Sequence, residues 1–296
     1  MRQFKGDKKV IIMFLIPAFA FIFIFLLYPL IRTFYNSLFY ILQNTNPRYV
    51  GLGNYQKLIT DAGMITAVWN TLIFMVAAVV IEVGVGTLLA ILVNFIKRGA
   101  KFFRVVYVFP VVVSAAALGL LFSLIYNYRL GLLNTIVSWL GYNPIRWITR
   151  DSALWAVIAP VTWRYVGFYF VIILTAITKI PKTLYESADI EGASRLQKTR
   201  HITLPLIFSD IRISIIIAIT GVTKVFSMIW IITQGGPMNS SQVLGTYLYS
   251  VTFQRRLFGY GSTIAVFIVL FGLLLVVLTN KLLKSDDNGG YGTPGM

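Results

Sequence analysis

Residues 179–205 read Lys179-Ile-Pro-Lys-Thr-Leu-Tyr-Glu-Ser-Ala-Asp-Ile-Glu-Gly-Ala-Ser-Arg-Leu-Gln-Lys-Thr-Arg-His-Ile-Thr-Leu-Pro205, and they lie between two long apolar runs, Leu154–Ile177 and Ile207–Ile232. Pro181 suits the start of a helix, because its missing N–H falls where no intrahelical partner exists. Leu184, Tyr185, Ala188 and Leu196 are candidates for one apolar stripe at helical spacing. Gly192 lets the chain bend between two short helices. Leu204-Pro205 then opens the next apolar run. The segment therefore reads as a compact helix–turn–helix ledge of mixed charge, suited to dock a soluble partner. His201 on this ledge reads as a contact or a solvated side chain rather than a metal ligand.

Working outward, the ledge is a polar island in an apolar chain. The 296 residues are 57% hydrophobic and only 12% charged, with a mean hydropathy of +0.78. That is too little polar surface for a soluble domain of this length. Six stretches reach the roughly 20 apolar residues that a membrane-crossing helix needs. They are Val10–Ile31, Thr66–Phe95, Val105–Tyr126, Leu154–Ile177, Ile207–Ile232 and Tyr260–Leu282. The fold class is all-α, a polytopic membrane protein. With no Cys and one His, neither a disulfide framework nor a metal site is expected. The net charge of +16 does not indicate nucleic acid, since the cations sit in short clusters between apolar runs rather than in one patch.

The first run has a basic head, and Ala18-Phe-Ala20 resembles a signal cleavage site. The apolar run continues through Phe21–Leu27, where a cleaved signal turns polar, so it reads as a retained span. Of the 26 Lys and Arg residues, 15 fall on the N-terminal side of the membrane and eight on the other. Both termini are thus expected in the cytoplasm. The expected division is a cytoplasmic tail at 1–9, a first helix with its outer loop at 10–65, a core at 66–282, and a Gly-rich disordered tail at 283–296.

The ledge resembles a known family. Glu186, Ser187 and Ala188, then Gly192, then Ile202, Leu204 and Pro205 match the "EAA" motif of binding-protein-dependent ABC importer permeases at every spacing. Ser187 stands where the motif has its first Ala, and Glu191 where related sugar permeases often have Asp. Gly51-Leu-Gly-Asn-Tyr55, Asn70-Thr-Leu, Thr233-Gln-Gly-Gly-Pro237 and Phe258-Gly-Tyr-Gly261 are similar to the carbohydrate branch, the maltose and glycerol-phosphate importers. The resemblance implies a type I importer permease, with six transmembrane helices and a cytoplasmic coupling loop. It implies a permease subunit in the bacterial cytoplasmic membrane, carrying a sugar, oligosaccharide or related polyol.

It further implies that two ATP-binding subunits bind the ledge, that a second homologous permease completes a heterodimer, and that a solute-binding protein delivers solute outside. Glu186, Ala188 and Gly192 would be the coupling residues, Glu186 by pairing with a basic group of the ATPase. A phosphate-cradling P-loop needs a Gly-Lys pair, and the chain has none. ATP and Mg would therefore sit on the partners, and this chain would bind no cofactor and catalyse nothing.

Ionisable groups within spans point to function by default. Glu82 either lines the cavity or a subunit interface, or pairs with Arg164 or Lys224. Trp163, Arg164, Tyr165 and Phe168 combine aromatic faces with a hydrogen-bonding fork, as a sugar site requires. Gly221, Thr223 and Lys224 hold the corresponding place on the fifth span. In the resembled family, solute contacts come from the helices either side of the EAA loop. The Arg and Lys lean toward an acidic or phosphorylated solute. Trp139, Trp147 and Trp155 read as interfacial anchors, and Tyr247, Tyr249 and Phe253 as an outer lid. Three other readings compete. They are an ABC permease for an amino acid or phosphate, a secondary carrier using Glu82 as an ion site, and a non-transporting scaffold.

Overall fold

The computed structural model describes residues 8–43, 45–96 and 99–282. The expectations for residues 1–7 and for the tail at 283–296 lie outside these residues, as do Lys97 and Arg98. The sheet among the described residues is one antiparallel pair, β1 (Phe39–Tyr40) and β2 (Arg48–Tyr49). The helices up to the ledge are α1 (Ile12–Ser37), α2 (Gly53–Thr60), α3 (Ala62–Asn94), α4 (Ala100–Val112), α5 (Ala115–Ile125), α6 (Leu132–Trp139) and α7 (Ala153–Thr178). From the ledge onward they are α8 (Lys182–Ile190), α9 (Arg195–Leu206), α10 (Phe208–Val222), α11 (Ser227–Thr233), α12 (Leu244–Tyr249) and α13 (Phe258–Leu282).

Helices α1, α3, α7 and α13 are each long and apolar enough to cross a membrane. The pairs α4–α5 and α9–α10 pass the same test together, bent by 92° and 65°. Counting each bent pair as one crossing gives the six that the apolar runs predict.

Two runs are less regular than hydropathy implies. Val105–Tyr126 is broken where Val113 turns extended and Ser114 starts a new helix, its Oγ accepting the Ala117 N–H at 3.2 Å. A serine in that position satisfies an N–H that has no partner in the first turn. Ile207–Ile232 is interrupted after Val222. Hydrogen bonds from Lys224 N to Gly221 O (3.0 Å) and Val225 N to Val222 O (3.1 Å) close α10 before α11 begins. Both breaks are tolerable at membrane depth only where the freed backbone groups find other partners.

The chain divides into two compact units. The first comprises residues up to Asp61 and Leu248–Leu270. Its α1 has apolar side chains exposed along its length, the surface of a helix that meets lipid or another subunit. Its outer end is fastened by polar bonds. Asn54 Nδ2 donates to the carbonyls of Ser37 and Phe39, both at 2.9 Å, and Thr263 Oγ1 donates to Ser37 O at 3.2 Å. Tyr260 OH donates to Asp61 at 2.7 Å, with Lys57 over the same ring. Gly259 N bonds to Ile41 O at 3.3 Å, and a Cβ at Gly259 would collide with the Phe39 carbonyl. The motifs at 51–55 and 258–261 thus meet and hold the end of α1.

The second unit comprises Ala62–Tyr247 and Phe271 onward. Helix α7 is its centre, with Val157, Ile158, Val161 and Tyr169 in one core cluster and Phe170, Ile173, Leu174 and Ile177 in the other. Two glycines set the helix separations. A Cβ at Gly167 would strike the Tyr107 carbonyl of α4, and one at Gly86 of α3 would press on Phe170 N and Val166 O of α7. Close backbone approach through small residues is how helices associate where lipid supplies no hydrophobic drive. Asn70, a buried polar residue inside α3, donates to the carbonyls of Ser240 and Gln242 at 3.0 and 2.8 Å. Thr233 Oγ1 accepts from Ser241 Oγ at 2.8 Å and from Gly235 N at 3.2 Å. The motifs at 70–72 and 233–237 therefore form a clasp around residues 240–244. Tyr247, expected in an outer lid, is fully buried, because a Cβ-less Gly63 leaves room for its ring. Of that lid set, Phe253 is exposed.

Candidate functional site

The ledge forms as the spacing predicts. Pro181 caps α8, which runs Lys182–Ile190, and the turn closes through Gly192 N to Asp189 O (3.1 Å) and Ala193 N to Ala188 O (2.9 Å). Gly192 has φ +76°, a left-handed conformation that side chains with a Cβ resist. Ser194 and Gln197 then make a reciprocal capping box at the start of α9.

Two further bonds tie α8 to α9: Tyr185 OH to Thr203 Oγ1 at 2.9 Å, and the Lys198–Asp189 ion pair. Neither Asp189 nor Lys198 stood out in the sequence, and their nine-residue spacing becomes a contact only after the turn forms. The Arg195 guanidinium lies 5.6 Å from the centroid of Phe95, at the end of α3. Glu186 and Ser187 are exposed and Ala188 is half-buried. Ile190 and Leu196 are 89% and 77% exposed. Ile202 is half-buried, Leu204 packs on the second core cluster, and Pro205 is exposed two residues before the bend into α10. His201 is exposed, its Nδ1 3.0 Å from the Gln197 carbonyl.

The helices on either side of the ledge share a cavity of about 230 Å³ with α3. Tyr165, Phe168 and Tyr169 of α7 face it, as do Ala218, Gly221 and Val222 of α10. Glu82 reaches it from a π-helical turn of α3, Ala78–Val85, and such wide turns recur at functional positions. Of the residues singled out in the sequence, Tyr165, Phe168 and Gly221 come together here. Trp163 faces instead a larger depression between α3, α4 and α7, with its ring 5.8 Å from Phe122. Arg164 turns toward its neighbour, donating from Nη1 to Tyr165 OH at 3.3 Å with its guanidinium 5.1 Å from that ring's centroid. Thr223 is buried and bonds back to Thr220 O at 2.7 Å, while Lys224 is exposed beyond the end of α10.

The pairings of Glu82 with Arg164 or Lys224 are absent among the described residues, and neither cation lines the cavity. Tyr169, Ala218 and Val222 were missed in the sequence. The signal that finds them is helical spacing from the residues already named: 165, 168 and 169 on one helix, and 218, 221 and 222 on the other.

The family model described as "Binding-protein-dependent transport system inner membrane component" matches residues 82–285. The probable ABC transporter permease protein YurN of Bacillus subtilis is 33% identical over 94% of this chain and 97% of its own. The lactose transport system permease protein LacF of Rhizobium radiobacter is 31% identical over 90% of this chain and 91% of its own. A bacterial ABC transporter involved in importing the acidic polysaccharide alginate contains a chain of the same fold, with a TM-score of 0.83 at 24% identity over 96% of this chain and 98% of that one. By sequence along most of its length and by fold, the chain belongs to the family of binding-protein-dependent ABC transporter permeases, the membrane components of importers.

Proposed function

We propose that the chain forms one wall of the translocation path for a sugar or oligosaccharide in an ATP-driven importer of the bacterial cytoplasmic membrane. The carrying observation is mechanical. Three residues, 179–181, join the ledge to α7, a 65° bend after Leu206 joins it to α10, and those two helices line the 230 Å³ cavity. A partner that pulls on the ledge thus moves both cavity walls at once. Aromatic faces at Tyr165 and Phe168 suit the C–H faces of a sugar ring, and the lactose permease relative supports a carbohydrate as solute.

Two ATP-hydrolysing subunits, with ATP and Mg, would seat the ledges of this chain and of a second, homologous permease. A solute-binding protein would deliver solute to the outer face. In this arrangement Glu186 and the exposed Ile190 and Leu196 supply the charge and apolar surface of the docking face, and both termini lie in the cytoplasm. Affinity purification of the tagged chain from native membranes in mild detergent tests the reading. The expected result is co-purification of an ATPase and a second permease, with selective loss of the ATPase on Glu186→Lys. Recovery of the chain alone, or uptake that survives ATP depletion, overturns it.

A further inference from the structure

Helix α6, between the crossings that end with α5 and begin with α7, carries no charged residue. Its inner face is fixed by the buried Asn134, which bonds to Tyr128 O, Ile145 O and Ile145 N at 2.9–3.0 Å. Its start is seated on the end of α5. Gly131 N donates to Asn127 O at 3.0 Å, and a Cβ at Gly131 would strike the carbonyls of Ile125 and Asn127. The helix is therefore held at the mouth of a crossing, at the level of the membrane surface. Its opposite face carries Leu132, Ile136 and Trp139 at helical spacing, all exposed, with Trp139 at 87%. This apolar surface continues that of α5, where Leu120, Leu121 and Leu124 are exposed as well. The flanking segments supply Arg129, Arg146 and Arg150, all exposed, and Asp151 is the only acidic residue in 127–152. Among the described residues no ion pair holds any of the three arginines. The Arg146 guanidinium lies 5.7 Å from the centroid of Tyr128, which keeps it beside the start of α6.

We propose that α6 and its flanks form a lipid-binding segment lying in the membrane interface, with Leu132, Ile136 and Trp139 at the acyl boundary and the three arginines on anionic headgroup phosphates. A helix with Trp and Leu on one face and cations beside it takes this position, because burying the apolar face and attracting anionic lipid act together. Trp favours the headgroup level, and a guanidinium fork grips phosphate through two parallel bonds. A protein covering this face would have to pair three free guanidinium groups as well as bury the apolar patch. Lipid phosphates already stand at the end of a crossing and satisfy both demands. Hydropathy passes over the segment, since eight residues are too few to span the bilayer.

The chain has no Cys, so Thr135→Cys, on the exposed face of α6, carries a single bimane fluorophore. The full chain, with the subunits that co-purify with it, is reconstituted in vesicles of equal parts phosphatidylcholine and phosphatidylglycerol, with bromine on the acyl chains of one lipid or the other. Brominated lipid should quench the probe, and acrylamide in the water should not. The exchange constant at this face should favour phosphatidylglycerol at least about fivefold, the share of one engaged arginine. Arg129→Gln, Arg146→Gln and Arg150→Gln together should bring it near parity while quenching by lipid persists, and an unchanged thermal midpoint confirms that this variant folds. A probe reached by acrylamide and not by lipid overturns the proposal, as does one shielded from both, which means that a protein covers the face. Equal exchange of the two lipids in the protein with all three arginines, or a preference that survives their removal, overturns it too.

Discussion

Gly192→Ala isolates the conformational demand of the coupling turn. A Cβ at this position meets nothing within 4 Å, so the substitution introduces no collision. What remains is the cost of holding an L-residue at φ +76°, about 1–2 kcal/mol. The free ledge can relieve that strain by opening the turn, but doing so breaks the Tyr185–Thr203 bond and the Lys198–Asp189 pair. Those two contacts together are worth about 1–2 kcal/mol, so strain and clamp are of similar size. A docked ledge, in contrast, keeps the turn. Association with the ATPase should therefore weaken by about twofold, and by about fivefold where the strain exceeds the clamp by about 1 kcal/mol, as the competent fraction falls. Gly192→Asn should lose much less, because Asn tolerates the left-handed region. The assay is the dissociation constant between detergent-purified permease and isolated ATPase, by biolayer interferometry. Equal affinities for wild type and Ala, or equal losses for Ala and Asn, would refute the argument that backbone conformation at Gly192 sets the docking shape.

Two stability predictions follow from close packing and buried polarity. Gly167→Val, which places carbon against the Tyr107 carbonyl, should cost about 1–3 kcal/mol or more through overpacking. It should lower the thermal midpoint in detergent, whereas Gly272→Ala, with open space around its Cβ, should hold or raise it. Asn134 is buried and bonds to Tyr128 O, Ile145 O, Ile145 N and Trp147 Nε1 at 2.9–3.0 Å. Asn134→Ala should cost roughly 1–3 kcal/mol for each group left shut off from water. Hydrogen exchange should accelerate across residues 128–147, and unchanged protection there would contradict the role assigned to it.

The sequence alone determined whatever depends on one dimension. Apolar run length gave six crossings, Pro181 and Gly192 gave the start and the turn of the ledge, and the mixed charge of residues 179–205 marked it as the polar island. Lipid enforces these choices locally, since a crossing backbone must satisfy its own hydrogen bonds. Tertiary structure alone decided which residues meet. The 92° break in the third run, the clasp of Asn70 on residues 170 or more positions away, and the burial of Tyr247 against Gly63 all depend on contacts distant in sequence. So does the company of Glu82. Hydropathy tells that a side chain lies at membrane depth, but nearly uniform apolarity around each helix hides which face is turned inward. That face is chosen by where glycines let backbones approach, and Gly86 and Gly167 do so here only because α7 lies beside both α3 and α4.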